Sequence, residues 1–493
     1  MDSSASQIRL CALLIFSVIF FSYAYFYEGA GWNQNSRFDM VRAIVEQETL
    51  RIDAFHHNTG DKAFANGHYY SDKAPGLAFL AVPIARITRF PLRASNIDPA
   101  SPRGLIDLAY SLTLFAVGLP MAVACVCLFW IAMALGGSEN GAAFAAVALG
   151  LATPMWAYST LFWGHALAAA CLVFAFACAL KLHEHAGSPG DVFWGLALGV
   201  TAGWAMVTEY PSLPASAVIA GLALALVWRD GVQRRLRVLL GVAAGALPCV
   251  AVLMLYQRAA FGSIFHPSYA YYPPGAFSWM KHGYMGLTYP RMDVALKLLF
   301  GCRRGLLFSG PVVLAGPFGL RRLWKQPATH APAVAAALIA AYYFIFNASF
   351  FSWPAGWSYG PRYMSPGLPF LALGLAPLWD QAGRAWRIAL GALAAAGVGL
   401  TLMAVSVSVQ PPDEFHCPLT QFYWPSFWAG RFSLNLGNVL IPAEQGTNRV
   451  HGSFNLGELL GLHGLASLLP WLAVGAFAAV LWIWVNRTRE VRK

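Results

Sequence analysis

Residues 10–27 read LCALLIFSVIFFSYAYFY, an uncharged and largely apolar run that follows the single basic residue Arg9. A helix of about 20 such residues crosses the hydrocarbon core of a bilayer. The run is longer than the apolar core of a secretory signal peptide, and no convincing cleavage site separates it from Glu28. We therefore expect a retained transmembrane helix, the first of a membrane-embedded chain.

The rest of the chain has the same character. Of its 493 residues, 58% are hydrophobic and 11% are charged, whereas soluble proteins carry about 25% charged residues. Further apolar segments of spanning length are residues 105–135, 142–158, 164–181, 192–208, 211–228, 236–257, 306–320, 331–350, 364–379, 386–409 and 467–486. Helices satisfy their own backbone hydrogen bonds inside a bilayer. The sequence therefore predicts an all-α polytopic membrane protein with about 12 transmembrane helices.

The net charge of +11 does not indicate nucleic-acid binding, because most basic residues lie just beyond apolar segments and no recognition motif appears. We expect membrane orientation to account for the excess. Most of the eight cysteines lie in predicted helices, and none has metal-ligand spacing. Cys302 and Cys417 lie in predicted outer loops, where they form either a disulfide or two free thiols.

Orientation depends on the short apolar stretch 74–90, which contains Pro83. If this stretch spans the membrane, the basic segments 229–237, 321–325 and 487–493 lie outside, against the positive-inside rule. We therefore predict that it lies at the membrane surface and that both termini are cytoplasmic. The predicted extracytoplasmic loops are residues 28–104, 258–305, 351–363 and 410–466. No repeat or soluble domain interrupts the chain, so residues 1–493 are interpreted as one transmembrane catalytic domain.

The first loop contains apolar residues at helical spacing in Ser36-Arg37-Phe38-Asp39-Met40-Val41-Arg42. Ser36 can cap the start of this helix, which places Asp39 in the first turn, where the helix dipole favours an ionised carboxylate. We interpret the segment as a helix along the membrane, with Asp39 as a candidate general base beside Arg37 and Arg42. The alternative is a helix-start carboxylate paired with arginine.

A second segment, Gly67-His68-Tyr69-Tyr70-Ser71-Asp72-Lys73-Ala74-Pro75-Gly76, directly precedes the predicted surface helix. A lysine held there by a tight turn can neutralise a phosphate whose lipid tail lies in the bilayer. Tyr69 and Tyr70 have amphipathic rings suited to that depth, and Asp72 lies beside the lysine. We predict a phosphate site at Lys73, the alternative being a snorkelling lysine.

These two segments, in this order after a first transmembrane helix, resemble the GT-C superfamily of polyprenyl-phosphate-dependent glycosyltransferases, especially the protein O-mannosyltransferases and lipid A aminoarabinose transferases. The resemblance implies that Asp39 is the base and that Lys73 contacts the donor phosphate. This sequence has Lys-Ala-Pro-Gly where many relatives have Lys-Pro-Pro.

The resemblance also implies a GT-C-like helix bundle with membrane-surface helices in the first extracytoplasmic loop. The implied reaction is transfer of a sugar, with inversion, from a polyprenyl-phosphate donor to a lipid, glycan or protein acceptor at the extracytoplasmic face. We expect an integral protein of the bacterial inner membrane that is surrounded by membrane lipids.

Other candidate residues lie where predicted helices meet the outer face. Arg362, in an aromatic loop with Tyr359 and Tyr363, can grip a phosphate at two points; the alternative is an interfacial aromatic belt. Glu209 and Tyr210 lie at a helix exit, where an ionisable group is either functional or simply hydrated. His165 has the same ambiguity.

Arg303 and Arg304 follow a helix on the side where basic residues are disfavoured, so they indicate an anionic ligand or an exception to the rule.

We predict no metal, because the donor phosphate is already a charged leaving group, and His56, His57, Asp61 and His68 match no metal-site spacing. The main rival interpretation is a lipid or solute transporter. Transporters often place charged residues inside their spans. Here the spans are nearly free of charge and the polar residues lie in outer loops, which favours catalysis.

Overall fold

The computed structural model describes residues 3–184, 188–273, 275–434, 440 and 452–491. The α-helices are α1 Ser3–Tyr25, α2 Trp32–Gln47, α3 Gly76–Ala94, α4 Pro102–Thr113, α5 Leu119–Ala134, α6 Glu139–Leu151, α7 Pro154–Ser159, α8 Gly164–Glu184, α9 Ser188–Thr208, α10 Leu213–Leu226, α11 Val232–Phe261, α12 Met292–Phe300, α13 Gly316–Trp324, α14 His330–Ser349, α15 Leu368–Leu373, α16 Leu375–Asp380, α17 Arg384–Val407, α18 Trp424–Trp428, α19 Leu456–Leu459 and α20 Leu469–Val491. The strands are β1 Phe26–Tyr27, β2 Lys62–Ala65, β3 His68–Ser71 and β4 Phe454–Asn455.

Within the described ranges, eight helical segments are long and apolar enough to cross a membrane. They are Ser6–Tyr25, Pro102–Ala134, Gly164–Glu184, Pro189–Thr208, Val232–Phe261, Pro327–Ser349, Arg384–Val407 and Gly464–Val485. Large apolar side chains of α11, such as Leu240, Leu247 and Leu255, are exposed on the outside of the bundle. The protein is therefore an integral membrane protein, and the predicted all-α polytopic fold is confirmed.

The remaining predicted apolar segments are helical but too short or too interrupted to count among these eight. Residues 142–158 divide between α6 and α7, and residues 364–379 between α15 and α16. Residues 211–228 contain α10, and residues 306–320 run into α13. Proline begins or interrupts each of these segments, and it removes a helical hydrogen bond wherever it stands inside a helix.

The core forms around α8, which is the most deeply buried of the spanning helices. The neighbouring helices α9 and α11 approach closely because glycine stands at their contact. A Cβ on Gly199 would lie 2.1 Å from the carbonyl oxygen of Val242, and one on Gly245 would lie 2.2 Å from that of Leu196. Any larger residue at either position would push the two helices apart.

The first predicted loop, residues 28–104, folds into α2, the β2–β3 hairpin and α3. Helix α3 buries Leu77, Ala81 and Ala85 while Ile87 and Phe90 stay exposed, and it is not one of the eight spanning segments. It is therefore an amphipathic helix, as the surface-lying interpretation requires. Its depth in the bilayer stays a prediction.

Helix α2 differs from the sequence prediction. It begins at Trp32 after Gly31, whose φ of 109° favours glycine. Ser36 therefore lies inside the helix and not at its cap, and its hydroxyl contacts Ser71 and Asp72. As a consequence, Asp39 lies in the middle of the helix, beyond the reach of the N-terminal dipole.

The structure joins Cys302 and Cys417 in a disulfide, with the Cα atoms 5.0 Å apart. Of the two alternatives that the sequence left open, it therefore supports the bonded one. Parts of some predicted loops lie outside the described residues, namely 435–439 and 441–451 of the outer loop 410–466, residues 185–187, and residues 492–493 of the basic tail.

Candidate active site

A cavity of about 900 Å³ lies among residues of all four predicted extracytoplasmic loops and the adjoining ends of α8, α10 and α14. This volume falls within the range of small-molecule sites in proteins. One part of its wall is charged and another is apolar and aromatic. An amphiphile therefore suits the cavity better than a purely polar or purely apolar molecule.

Lys73 and Asp61 lie on the charged wall and pair with each other, Nζ to Oδ2, at 2.7 Å. The same ammonium group also contacts Oδ2 of Asp72 at 3.0 Å. Burial lowers the pKa of Lys73, but the two carboxylates outweigh this effect and hold its pKa above the ordinary value. The ammonium group therefore stays charged within a largely buried site.

The β2–β3 hairpin brings this pair together. In its antiparallel register, Lys62 of β2 is opposite Ser71 of β3. Asp61 and Asp72, the next residues beyond this pair, are therefore also opposite each other. Asn66 and Gly67 form the turn with φ values of 52° and 80°, and an Asn-Gly dipeptide is a strong hairpin signal. That signal in the sequence would have predicted the proximity of Asp61 to Lys73, which the sequence analysis missed.

Arg37 supplies a second cation, from one face of α2. It is 2% exposed, and its Nη2 donates to Oε1 of Glu209 at 2.7 Å. Its Nη1 donates to Asn33, one helical turn earlier on the same face. Its Nε is buried without a hydrogen-bond partner among the described residues. Arg37 and Asn33 line the cavity, and the sequence analysis did not select either.

Arg362 supplies a third cation. Its Nε donates to Nε2 of His165 at 2.8 Å, and its guanidinium group lies over the Trp163 ring at 4.1 Å. Because Nε2 accepts this bond, the imidazole carries its proton on Nδ1, which lies 3.8 Å from Glu209. The predicted pocket residues Glu209 and Arg362 are thus linked through His165.

These three cations converge on one place. The His165 ring interacts electrostatically with Arg362, Arg37 and Lys73. Tyr363 likewise interacts with Arg362, Lys73, Asp61 and Glu209. The structure therefore brings the predicted residues Lys73, Arg362, Glu209, Tyr210 and Tyr363 to one cavity.

Another part of the cavity wall is apolar. Leu213 from the start of α10 and Phe346 from α14 contribute to it, with Phe350 just beyond the end of α14. The loop before α12 adds aromatic and aliphatic residues, including Trp279 and Tyr284. Leu213 and Tyr284 are also exposed. The apolar lining is therefore accessible and not closed off by packing.

Asp39 does not line this cavity, and its role as the base stays a prediction. The side chain is fully buried within α2, and Nδ2 of Asn58 donates to its Oδ1 at 3.3 Å. Burial raises the pKa of Asp39 to about 8, although Arg42 and the Asn58 bond oppose the rise. A carboxyl group in this environment holds its proton more tightly than an exposed one.

Several other predicted pocket residues lie outside the cavity. Arg42 pairs with Glu46 and covers the ring of Phe55. Tyr69 stacks on His56 at 3.9 Å, and Tyr70 packs its ring against Phe261. Asp72 is buried behind Lys73, and Tyr359 is buried beside a separate cavity of about 20 Å³. These side chains support the wall and do not form it.

Arg303 and Arg304 also lie outside the large cavity. Both guanidinium groups bind Oδ1 of Asp413, at 3.0 and 3.1 Å. Arg304 is buried and also donates to the carbonyl oxygens of Pro354 and Gly356. These bonds join three loops beside the Cys302 disulfide, while Nε of Arg303 is buried without a hydrogen-bond partner among the described residues. The predicted contact of the two arginines with an anionic ligand stays a prediction. Asp413 itself lines the cavity.

Among the described residues, no group of three or more His, Cys, Asp or Glu side chains is arranged to hold a metal ion. His56, His57 and His68 cluster around the hairpin, where His56 contacts Lys62 and His68 contacts Asp53.

No protein-family model matches the chain, and no curated protein matches its sequence. Among solved structures, the chain is similar to ArnT from Cupriavidus metallidurans bound to undecaprenyl phosphate, with a TM-score of 0.50 and 16% identity over 86% of this chain and 68% of that one. It is also similar to the archaeal oligosaccharyltransferase AglB from Archaeoglobus fulgidus in complex with an inhibitory peptide and a dolichol-phosphate, with a TM-score of 0.45 and 13% identity over 83% of this chain and 56% of that one. The similarity to the ArnT structure shows that this chain shares its fold.

Proposed function

We propose that this protein is a membrane glycosyltransferase that moves a sugar from a polyprenyl-phosphate donor to an acceptor at the extracytoplasmic face. The observation that carries the proposal is the cavity that Lys73, Arg37 and Arg362 line together with apolar and aromatic side chains. A polyprenyl phosphate has a matching division between an anionic head and an apolar tail. The ArnT structure of similar fold is bound to undecaprenyl phosphate, which supports the same class of donor here.

In this proposal the three cations hold the donor phosphate. When the bond between the anomeric carbon and the phosphate oxygen breaks, negative charge grows on the phosphate. Fixed positive groups in a site that excludes water stabilise such charge far better than water does. Lys73 acts as a point charge, while Nη2 of Arg362 and the unpaired Nε of Arg37 donate hydrogen bonds. The other two nitrogens of Arg362 already donate to His165 and to the Ala355 carbonyl oxygen.

The acceptor would be a hydroxyl or similar nucleophile of a lipid, glycan or protein, and the transferred sugar a hexose or pentose. Attack from the face opposite the phosphate inverts the anomeric centre. A carboxylate of the cavity wall would take the acceptor proton. The proposal includes no metal, because three cations already face the leaving group; we therefore expect transfer to persist after treatment with EDTA.

The proposed location is the bacterial inner membrane, with both termini cytoplasmic and the cavity on the outer side. The positive-inside rule supports this orientation. The Cys302–Cys417 disulfide also supports it, because the outer side is the oxidising one.

The test is sugar transfer by purified protein given radiolabelled polyprenyl-phosphate sugars and a membrane extract as the acceptor source. We expect transfer by the wild type, a loss of at least about 100-fold in Lys73→Ala, and near-wild-type transfer in Lys62→Ala. Lys62 is the matched control because it lies on the same hairpin but contacts His56 and Tyr69 outside the cavity. Movement of lipid across proteoliposomes without any transfer would instead favour a transporter.

A further inference from the structure

The ion pair between Lys73 and Asp61 lies at the place where the proposed donor phosphate would bind. Lys73 has two carboxylate partners, Asp61 at 2.7 Å and Asp72 at 3.0 Å. The two carboxylates differ in their surroundings. Asp61 lines the cavity, whereas Asp72 is fully buried behind the wall.

Asp72 is fixed by further contacts. The Tyr272 hydroxyl donates to its Oδ2 at 2.8 Å, and the Ser36 hydroxyl donates to its Oδ1 at 3.2 Å. The Ser268 hydroxyl holds its backbone carbonyl. An anion that enters from the cavity therefore competes with Asp61 for Lys73 and leaves Asp72 in place. Asp61 is the exchangeable partner of the lysine.

We propose that Asp61 is the base that deprotonates the acceptor, and that Lys73 masks it until the donor phosphate binds. This inference rests on the proposed function. In the free protein, the ammonium group engages the Asp61 carboxylate. When the donor phosphate takes over Lys73, the carboxylate loses its partner, and withdrawal of a nearby cation makes a carboxylate accept a proton more readily.

The transfer step then balances in atoms and charge. The acceptor oxygen forms a bond to the anomeric carbon, and its proton passes to Asp61. The bond between that carbon and the phosphate oxygen breaks, and its electron pair stays on the phosphate. One negative charge thus leaves Asp61 while one is added to the phosphate, so the total charge facing Lys73, Arg37 and Arg362 does not change.

The other carboxylates of the cavity wall are less suited to this role. Glu209 is held by Arg37 at 2.7 Å and lies near His165, and Arg37 is itself buried. Asp413 is bound by both Arg303 and Arg304. Among the described residues, neither carboxylate shares a cation with a second acid that could retain that cation during exchange. Asp61 has this arrangement through Asp72.

The mechanism implies an order of events, since a bound acceptor cannot be activated before the donor arrives. It also separates two effects of removing the charge of Asp61. Asp61→Asn removes the competitor for Lys73, so polyprenyl phosphate should bind at least as tightly as to the wild type. The same change removes the base, so the rate of transfer at saturating donor should fall by at least about 100-fold.

The experiment measures two quantities on purified Asp61→Asn and Asp61→Ala, binding of undecaprenyl phosphate by native mass spectrometry and transfer from a labelled donor. Asp53→Asn is the matched control, because Asp53 accepts from His68 and from the Tyr69 backbone away from the cavity. We expect retained binding, loss of transfer in both Asp61 variants, and partial recovery of Asp61→Ala by millimolar sodium formate, a small carboxylate that can replace the base. Asp53→Asn should behave like the wild type.

The inference is overturned if Asp61→Asn transfers within threefold of the wild type at saturating donor. It is also overturned if folded variants, judged by an unchanged melting temperature, lose binding and transfer together without recovery in formate. A wild type that neither binds polyprenyl phosphate nor transfers sugar is a different result, because it rejects the proposed function itself.

Discussion

Asp39→Asn separates the structural role of a buried carboxyl group from a catalytic one. Burial raises the pKa of Asp39 from its ordinary value of 3.8 to about 8. The folded protein therefore binds this proton more tightly than the unfolded chain does, and the wild type loses stability as the pH rises from about 4 to about 8. Asparagine resembles the protonated carboxyl group in shape but cannot ionise, so the variant should not share this loss.

The magnitude follows from the same linkage. Between pH 6 and pH 8 the carboxyl group is ionised in the unfolded chain and mostly protonated in the fold. Each pH unit then costs the wild type about 1.4 kcal/mol. Partial ionisation near pH 8 reduces the total, so the free energy of unfolding should fall by about 2 kcal/mol more in the wild type than in Asp39→Asn. The melting temperatures should diverge by roughly 2–4 °C.

The assay is thermal unfolding of both proteins in detergent at pH 6 and pH 8, with sugar transfer measured on the same preparations. We expect the divergence in melting temperature and transfer within about threefold of the wild type, because Asp39 does not line the cavity. A variant that loses transfer while its melting temperature follows the wild type at both pH values would refute this reasoning and return Asp39 to the role of base.

Three further variants test the cavity and the disulfide that joins two of its loops. Arg362→Lys keeps the charge but loses the bond to His165, so the KM for the donor should rise about tenfold. Cys302→Ser with Cys417→Ser removes a cross-link over 115 residues and should lower the free energy of unfolding by about 2–5 kcal/mol, as measured by thermal unfolding. Phe346→Asp places a charge on the apolar wall and should weaken the binding of long-chain donors at least about tenfold. The binding of water-soluble short-chain donors should change little.

Each variant has an outcome that counts against its premise. A donor KM in Arg362→Lys equal to that of the wild type would remove Arg362 from the donor site. The double serine variant should have the same stability as wild type that has been treated with reductant. A stability equal to that of the oxidised wild type would contradict a structural disulfide. If Phe346→Asp weakened the binding of short-chain and long-chain donors equally, the apolar wall would not hold the lipid tail of the donor.

The sequence was sufficient for those features that depend on local composition. The spanning helices follow from apolar runs, and α3 follows from its amphipathic pattern. Lys73 and Arg362 were selected because a basic side chain at the membrane face can bind a phosphate, and Glu209 because an ionisable group at a helix exit is unusual. All three line the cavity. This kind of inference needs no knowledge of which loops meet.

The features that depend on helix start points and strand register were harder to predict. The Ser36 pattern resembled a helix cap, but Gly31 permits the chain to enter α2 earlier, and this shift moves Asp39 from the first turn to a buried position. Asp61 is twelve positions before Lys73 in the sequence, and only the hairpin register reveals their contact. The ion pairs of Arg303 and Arg304 could not be predicted without knowing that Asp413, more than 100 positions away in the sequence, lies beside them.

The most direct test of the central claim, that the cavity binds a polyprenyl phosphate with its phosphate at Lys73, is a titration of the purified protein with undecaprenyl phosphate by native mass spectrometry. The wild type and Lys62→Ala should each bind one lipid per chain, and Lys73→Ala should bind at least about tenfold more weakly. Equal binding by all three proteins, or no binding by the wild type, would contradict the account.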